Sequence, residues 1–227
     1  MNNKNVLDEI RDCVKLDVDM NAIVSEEMEK KIYCCTDEAA QILLKKIGQE
    51  KYPISVDKIF KFFGIKVRES SFESIKEKDD KKIHALIKVT KNSDNADNIN
   101  IELIINDDDN KKTTRKTALC ALGLYIWGYN GEEKFFKGLS SNKKSKNNNI
   151  RNNIRVLTCI YNCFALNVLI PTQMIKKLDF YFWYEGIKLE ARVELYSKIF
   201  NVSKSNIRKK LYMVKKYNLL ESLYECM

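Results

Sequence analysis

An α+β fold, rich in helix and carrying a small antiparallel sheet of three strands, is predicted by three observations. Seven glycines and two prolines in 227 residues are too few breakers for a turn-rich β-sandwich. Apolar residues recur at helical spacing through most of the chain, and the period shifts toward alternation between residues 65 and 105. A hydrophobic share of 44% beside 31% charged residues fits a soluble chain with a buried core. No apolar run approaches the roughly 20 residues that span a bilayer. The opening MNNKNVLDEIRDC is polar where a signal peptide needs an apolar core, so a cytoplasmic location is expected.

The elements follow in order. Val6, Ile10, Val14 and Leu16 give one or two short N-terminal helices whose docking the pattern leaves open. Thr36 offers an N-cap, with Asp37 and Glu38 placed to favour the helix dipole, and Ala39, Ile42, Leu43 and Ile47 share a face. A helix over residues 36–49 is predicted. Ile54, Val56, Ile59, Phe60 and Phe63 form the next apolar face, with Ser55 or Asp57 as cap and Gly64 as stop. Strands are expected over residues 65–72, 84–89 and 99–105, separated by polar turns at 76–81 and 91–97. Thr113 or Thr114 then caps a helix that is apolar nearly all round from 117 to 127, the mark of a buried central helix. Residues 138–153 read as a linker. Helix resumes over 154–168, restarts at Pro171, and fills 189–220 with two or three segments.

Charge and chemistry-bearing residues narrow the function classes. Forty basic against thirty-one acidic residues leave a formal charge of +9, compatible with nucleic-acid contact. A lysine-, asparagine- and isoleucine-rich composition also follows from AT-rich coding, and a solvated surface then accounts for the excess. Seven cysteines (13, 34, 35, 120, 159, 163 and 226) have no regular spacing and read as reduced, mostly core thiols. His84 is the one histidine, so a multi-histidine metal site is excluded.

Three blocks carry a family resemblance. Ile104-Ile105-Asn106 ends a strand ahead of Arg115-Lys116-Thr117-Ala118-Leu119-Cys120-Ala121-Leu122-Gly123-Leu124-Tyr125. Asn162, Phe164, Ala165, Leu169 and Pro171 form the next block, and Leu195, Phe200, Val202, Ser203, Ile207 and Leu211 the last. In this order they resemble the ImmA/IrrE metallopeptidase family, whose patterns run R-F-T-x-A-H-E-x-G-H-Y, then E-A-N-x-F-A-x-x-L-L-M-P, then L-A-x-x-F-x-V-S-x-x-A-V-x-x-R-L. The resemblance implies a zincin-like domain with a C-terminal region resembling a helix-turn-helix. It divides the chain into an N-terminal helical extension (1–35), a degenerate metallopeptidase-like domain (36–170) and the C-terminal helical region (171–227).

The departures remove the family's chemistry. Two histidines four apart on one helix face hold zinc, and the glutamate beside the first activates the bound water. Here Cys120, Ala121 and Leu124 occupy those positions, and the third-ligand position falls on Ile160. Apolar substitution refills a polar cavity that would be costly to leave unsatisfied. The expectation is a pseudoenzyme without cofactor, binding a protein partner such as a helix-turn-helix repressor. In the resembled family active members cleave such repressors, often on phages and integrative elements.

Two alternatives remain. Residues 190–220 hold eight basic and two acidic residues, and Lys204, Ser205, Asn206, Arg208, Lys209 and Lys210 are candidates for DNA contact at the start of a recognition helix. Alternatively, Cys120, Cys159 and Cys163 could hold zinc with His84 or water as a fourth ligand, although three small buried residues in a tight helix–helix contact explain them better.

Overall fold

The computed structural model describes residues 3–15, 19, 23–49, 51–72, 84–92, 95–128, 135–137 and 148–217. Within them lie α1 (Asn3–Lys15), α2 (Glu26–Lys46), α3 (Val56–Phe62), β1 (Lys66–Ser70), β2 (Ala85–Asn92) and β3 (Asn95–Asn106). There follow α4 (Lys111–Gly128), β4 (Phe135–Lys137), α5 (Asn148–Leu169), α6 (Thr172–Tyr184), α7 (Leu189–Ile199) and α8 (Lys204–Lys216). No single helix among the described residues is long and apolar enough to cross a membrane. The turn expected at 76–81 and residues 138–147 of the expected linker lie outside the described residues, whereas residues 148–153 are not linker but the first turns of α5.

Small polar side chains set the helix starts. Ser25, Ser55 and Ser203 each accept a hydrogen bond from the backbone N–H three residues on, capping α2, α3 and α8. α3 stops at Gly64, whose φ of 66° is the left-handed geometry of a C′ glycine. Asn110, rather than Thr113 or Thr114, caps α4, its side-chain oxygen accepting from the Thr113 N–H at 3.0 Å.

The helix expected to begin at Thr36 begins ten residues earlier. Thr36 is mid-helix and fully buried, its hydroxyl donating back to the Ile32 carbonyl at 2.7 Å. Three glutamates in the first turn after Ser25 make the stronger start. The boundary drawn at 35/36 therefore falls inside α2. α1 docks on the core as well: Val6 and Ile10 are buried, the Arg11 side chain donates to the Ile126 carbonyl at 2.8 Å, and the Trp127 indole donates to the Arg11 carbonyl at 3.3 Å.

The sheet is mixed, not antiparallel, and runs in the order β1-β3-β2-β4. β2 pairs antiparallel with β3 and with β4, whereas β1 runs parallel to β3. The sequence supplies the reason. β3 carries Ile101, Leu103, Ile104 and Ile105, all buried, and needs a neighbour on each side. β1 is largely charged and exposed, suited to an edge. Ile101, Leu103 and Ile105 face the main core, while Ile104 packs with Phe72 and Leu86 on the outer face. The Arg68–Glu102 pair at 2.8 Å ties β1 to β3 across that outer surface.

α4 lies between this sheet and α5, which explains its all-round apolar character: buried residues run from Thr117 to Gly123, then Tyr125 and Ile126. α2 covers α5 from the other side, and α1 packs on α2. The α4–α5 seam is tight at Gly123, where an added Cβ would stand 2.9 Å from the Tyr161 Cβ and 3.1 Å from its Cα.

Two polar devices fasten the C-terminal helices. Arg115, half-buried on α4, donates to the carbonyls of Phe200 (2.9 Å) and Asn201 (2.7 Å) in the α7–α8 turn and to that of Ile54 (2.7 Å). Lys210 on α8 is fully buried. Its ammonium donates to the Asn167 side-chain oxygen at 2.6 Å and the Thr172 hydroxyl at 2.7 Å, with an Asp37 carboxylate oxygen at 3.7 Å. Thr172 gives its proton to Asp37 at 2.5 Å, which leaves the Tyr33 hydroxyl, 3.1 Å away, to donate to Thr172. Asn167 in turn donates to the Thr36 hydroxyl at 3.0 Å. The network joins α2, α5, α6 and α8.

Two outcomes follow from this packing. Gly123→Ala should lower unfolding stability by about 1–3 kcal/mol, because backbone as well as side chain must shift at the seam; unchanged urea denaturation would contradict the close contact. Desolvation, only partly offset by Asp37, lowers the Lys210 pKa to about 8, below the roughly 10.4 of an unfolded lysine. Between those values the unfolded chain holds a proton that the folded chain has released, so the burial cost is present in full below pH 8 and relieved as pH rises. Wild type should therefore gain stability relative to Lys210→Met on going from about pH 8 to about pH 10, read by paired denaturant titrations.

Candidate functional site

A cleft of about 820 Å³ opens between α4, α5 and the α7–α8 pair. Lys112, Thr113, Lys116, Thr117 and Cys120 form one wall, and Thr158, Tyr161 and Asn162 of α5 form the second. Glu194, Ser197, Lys198, Ser203, Lys204 and Asn206 close it from the C-terminal helices. His84, just before β2, reaches the rim, and its Nδ1 lies 2.7 Å from a carboxylate oxygen of Asp109. The lining is thus hydroxyls, amides and lysine ammonium groups around one thiol.

The positions marked by the family resemblance divide on this geometry. Cys120 lies on the cleft wall, 1% exposed, and its thiol donates to the Asn162 side-chain oxygen at 3.7 Å. Asn162 is itself held by donation to the Thr158 carbonyl at 2.8 Å. Burial pushes the Cys120 pKa up to about 12, against the weaker pull of Lys116 and Lys209. A thiol in that state is neither a ready metal ligand nor a nucleophile at neutral pH. Ala121 is buried and Leu124 packs partly buried against the core. Ile160 is fully buried in the main core, and the α5 residues on the cleft are Thr158, Tyr161 and Asn162 instead. The α5 register therefore turns Ile160 into the core and away from the cleft.

The three-cysteine alternative is not assembled. Among the described residues no group of three or more His, Cys, Asp or Glu side chains is placed to hold a metal ion. Cys159 and Cys163 open on a separate cavity of about 330 Å³, lined also by Glu29, Arg155 and Lys209. One helical turn apart, they hydrogen-bond to each other, which lowers the Cys159 pKa and, with burial, raises that of Cys163. His84 is held by Asp109 at the rim of the cleft.

The DNA-contact candidates also separate. Lys210 is not on the surface at all: it sits inside the polar network of α2, α5 and α6, because the residue six past the start of α8 points inward with Ile207 and Val214. Lys204 pairs with Glu194, and Arg208 with Glu190 at 2.7 Å, both partners lying on α7. Asn206 faces the cleft. Ser205 and Lys209 are exposed. The positive stretch of the sequence is therefore largely spent on fastening α8 to α7 and to the core.

Sequence reading named Lys204 only as a DNA-contact candidate and missed Lys112 and Lys116 of the cleft. Lys112 and Lys116 are one turn apart on α4, and Lys198 and Lys204 approach from the opposite side through Glu194, at 3.6 Å for Lys198. Only the four-residue spacing of Lys112 and Lys116 was visible beforehand, and surface lysines show the same spacing. Comparisons with protein-family models, with curated proteins and with solved structures find no match for this chain.

The thiols give a direct check on this geometry. On brief treatment with iodoacetamide at neutral pH, Cys159 should be alkylated well before Cys120, as mapped by peptide mass spectrometry. Preferential modification of Cys120 would mean that its thiol is ionised and accessible, contrary to the hydrogen bond to Asn162.

Proposed function

We propose that the chain is a non-catalytic, ImmA/IrrE-like regulatory protein that binds a protein partner, such as a helix-turn-helix repressor, in the cleft between α4, α5 and α7–α8. One observation carries this reading: the cleft, about 820 Å³, is lined largely by polar side chains, and its wall holds a thiol, raised in pKa by burial and bonded to an amide, at the position of the first metal ligand in the resembled family. Such a wall can present hydrogen bonds to a ligand. Cys120 itself, buried and bonded to an amide, is not poised to activate water.

Further support comes from the rigid mounting of the cleft. Arg115 fixes the α7–α8 turn against α4, so the two sides of the cleft keep their spacing without a ligand. Direct DNA reading by α8 has less behind it, since Lys204 and Arg208 are paired and Lys210 is interior.

The test titrates the purified chain against the helix-turn-helix repressor encoded nearest its own gene, with calorimetry and intact-mass analysis in parallel. A saturable complex in which the repressor keeps its full mass is the expected result. Cleavage of the repressor would overturn the non-catalytic reading. Failure to form the complex, with tight and salt-sensitive retention on duplex DNA, would replace it with direct DNA binding.

A further inference from the structure

Four lysines line the cleft against a single glutamate. Glu194 divides itself between two of them, Lys198 and Lys204. Lys112 has its ammonium 3.5 Å from the Ser197 hydroxyl, a neutral partner. Lys116 is half-buried and makes no ion pair or hydrogen bond with the described residues. The cleft therefore carries more positive charge than its own carboxylate balances, and Lys112 and Lys116 are partly withdrawn from water whereas Lys198 and Lys204 are exposed. A partly withdrawn ammonium gains from an anionic partner more than a fully solvated one does.

The kind of anion follows from how the donors are arranged. No arginine and no glycine lines the cleft among the described residues, so the bidentate fork and the glycine-rich backbone cradle that usually gather a phosphate are both missing from the lining. The lysines instead come from two sides: Lys112 and Lys116 from α4, Lys198 from α7 and Lys204 from the start of α8. Hydroxyls and amides lie among them, from Thr113, Thr117, Thr158, Ser197, Asn162 and Asn206. Point charges on opposite walls with neutral donors between them suit several carboxylates spaced along a backbone.

We propose that the cleft is a recognition site for an acidic, carboxylate-rich peptide segment, with Lys112 and Lys116 as its principal anchors and Glu194 as an internal competitor for Lys198 and Lys204. The inference rests on the partner-binding reading above and names the chemistry of the segment that enters. Glu194 makes it testable in both directions. Removing a lysine takes away attraction, whereas neutralising Glu194 frees two ammonium groups and removes repulsion of an incoming carboxylate.

The experiment uses the full chain and a fluorescein-labelled octapeptide of alternating glutamate and serine, with a glutamine-for-glutamate twin, followed by fluorescence anisotropy at low ionic strength. The glutamate peptide should bind at least about tenfold more tightly than its twin and weaken with salt. Lys112→Ala with Lys116→Ala should cost about tenfold in affinity, and Glu194→Gln should improve it, with melting curves of all variants recorded beside wild type. Equal binding of the two peptides overturns the proposal, as does a Glu194→Gln variant that binds more weakly while remaining folded. Displacement of the peptide by inorganic pyrophosphate at much lower concentration overturns it in favour of a small phosphate ligand. The two readings fail separately: a repressor bound equally by wild type and the double lysine variant sinks the acidic-segment inference alone. A glutamate peptide that binds while the repressor does not sinks the partner assignment alone.

Discussion

A charged amine with no access to water is the constraint on which the arrangement of helices turns. Lys210 can be buried only because acceptors from three other elements converge on it: Asn167 of α5, Thr172 at the start of α6 and Asp37 of α2. Each acceptor is itself positioned by a second bond, Thr172 by donation to Asp37 and Asn167 by donation to Thr36. Rotating any one helix breaks bonds in the others, and a half-satisfied network of this kind is worse than an apolar contact. The Tyr33 ring, 4.9 Å below the ammonium, adds a face of favourable sign. Directional bonds of this kind constrain the register of α8 on the core more tightly than apolar contact does.

That register determines what the surface can do. With Lys210 inside, the helix presents Lys204, Ser205 and Arg208 outward and turns Asn206 to the cleft. Glu190 and Glu194 on α7 then meet the nearest cations of α8, so the two helices are held by ion pairs at their outer edge and by Ile207 and Val202 within. Arg115 completes the mounting from behind through the Phe200 and Asn201 carbonyls, where Asn201 adopts a φ of 50°. The cleft is the space left over between this mounted pair and the α4–α5 seam.

Local signals in the sequence were legible wherever a single residue type decides the geometry. Gly64 as a stop, Ser55 as one of two candidate caps and the all-round apolar run of α4 appear in the structure as read. Thr36 misled because a buried threonine bonding to its own helix has the same composition as a cap, and only the glutamates behind Ser25 distinguish them. The antiparallel sheet failed for a non-local reason: adjacent strands in sequence suggest a meander, yet the apolar β3 takes the centre and puts β1 on its far edge. Charge is the least legible quantity. Lys210 and Lys209 are neighbours with the same side chain, one wholly buried and the other exposed, and nothing in composition separates them.

The seam at Gly123 has a consequence for how such a protein changes over time. Spacing between α4 and α5 is set by the missing side chain there and by the Tyr161 backbone it touches. The charge of the cleft is set by different positions, Lys112, Lys116, Lys198 and Lys204, whose side chains are half-buried or exposed. Shape and chemistry are thus encoded at separate sites. Substitution at those lysines alters what the cleft attracts with little change in packing, whereas a change at Gly123 acts on the fold itself.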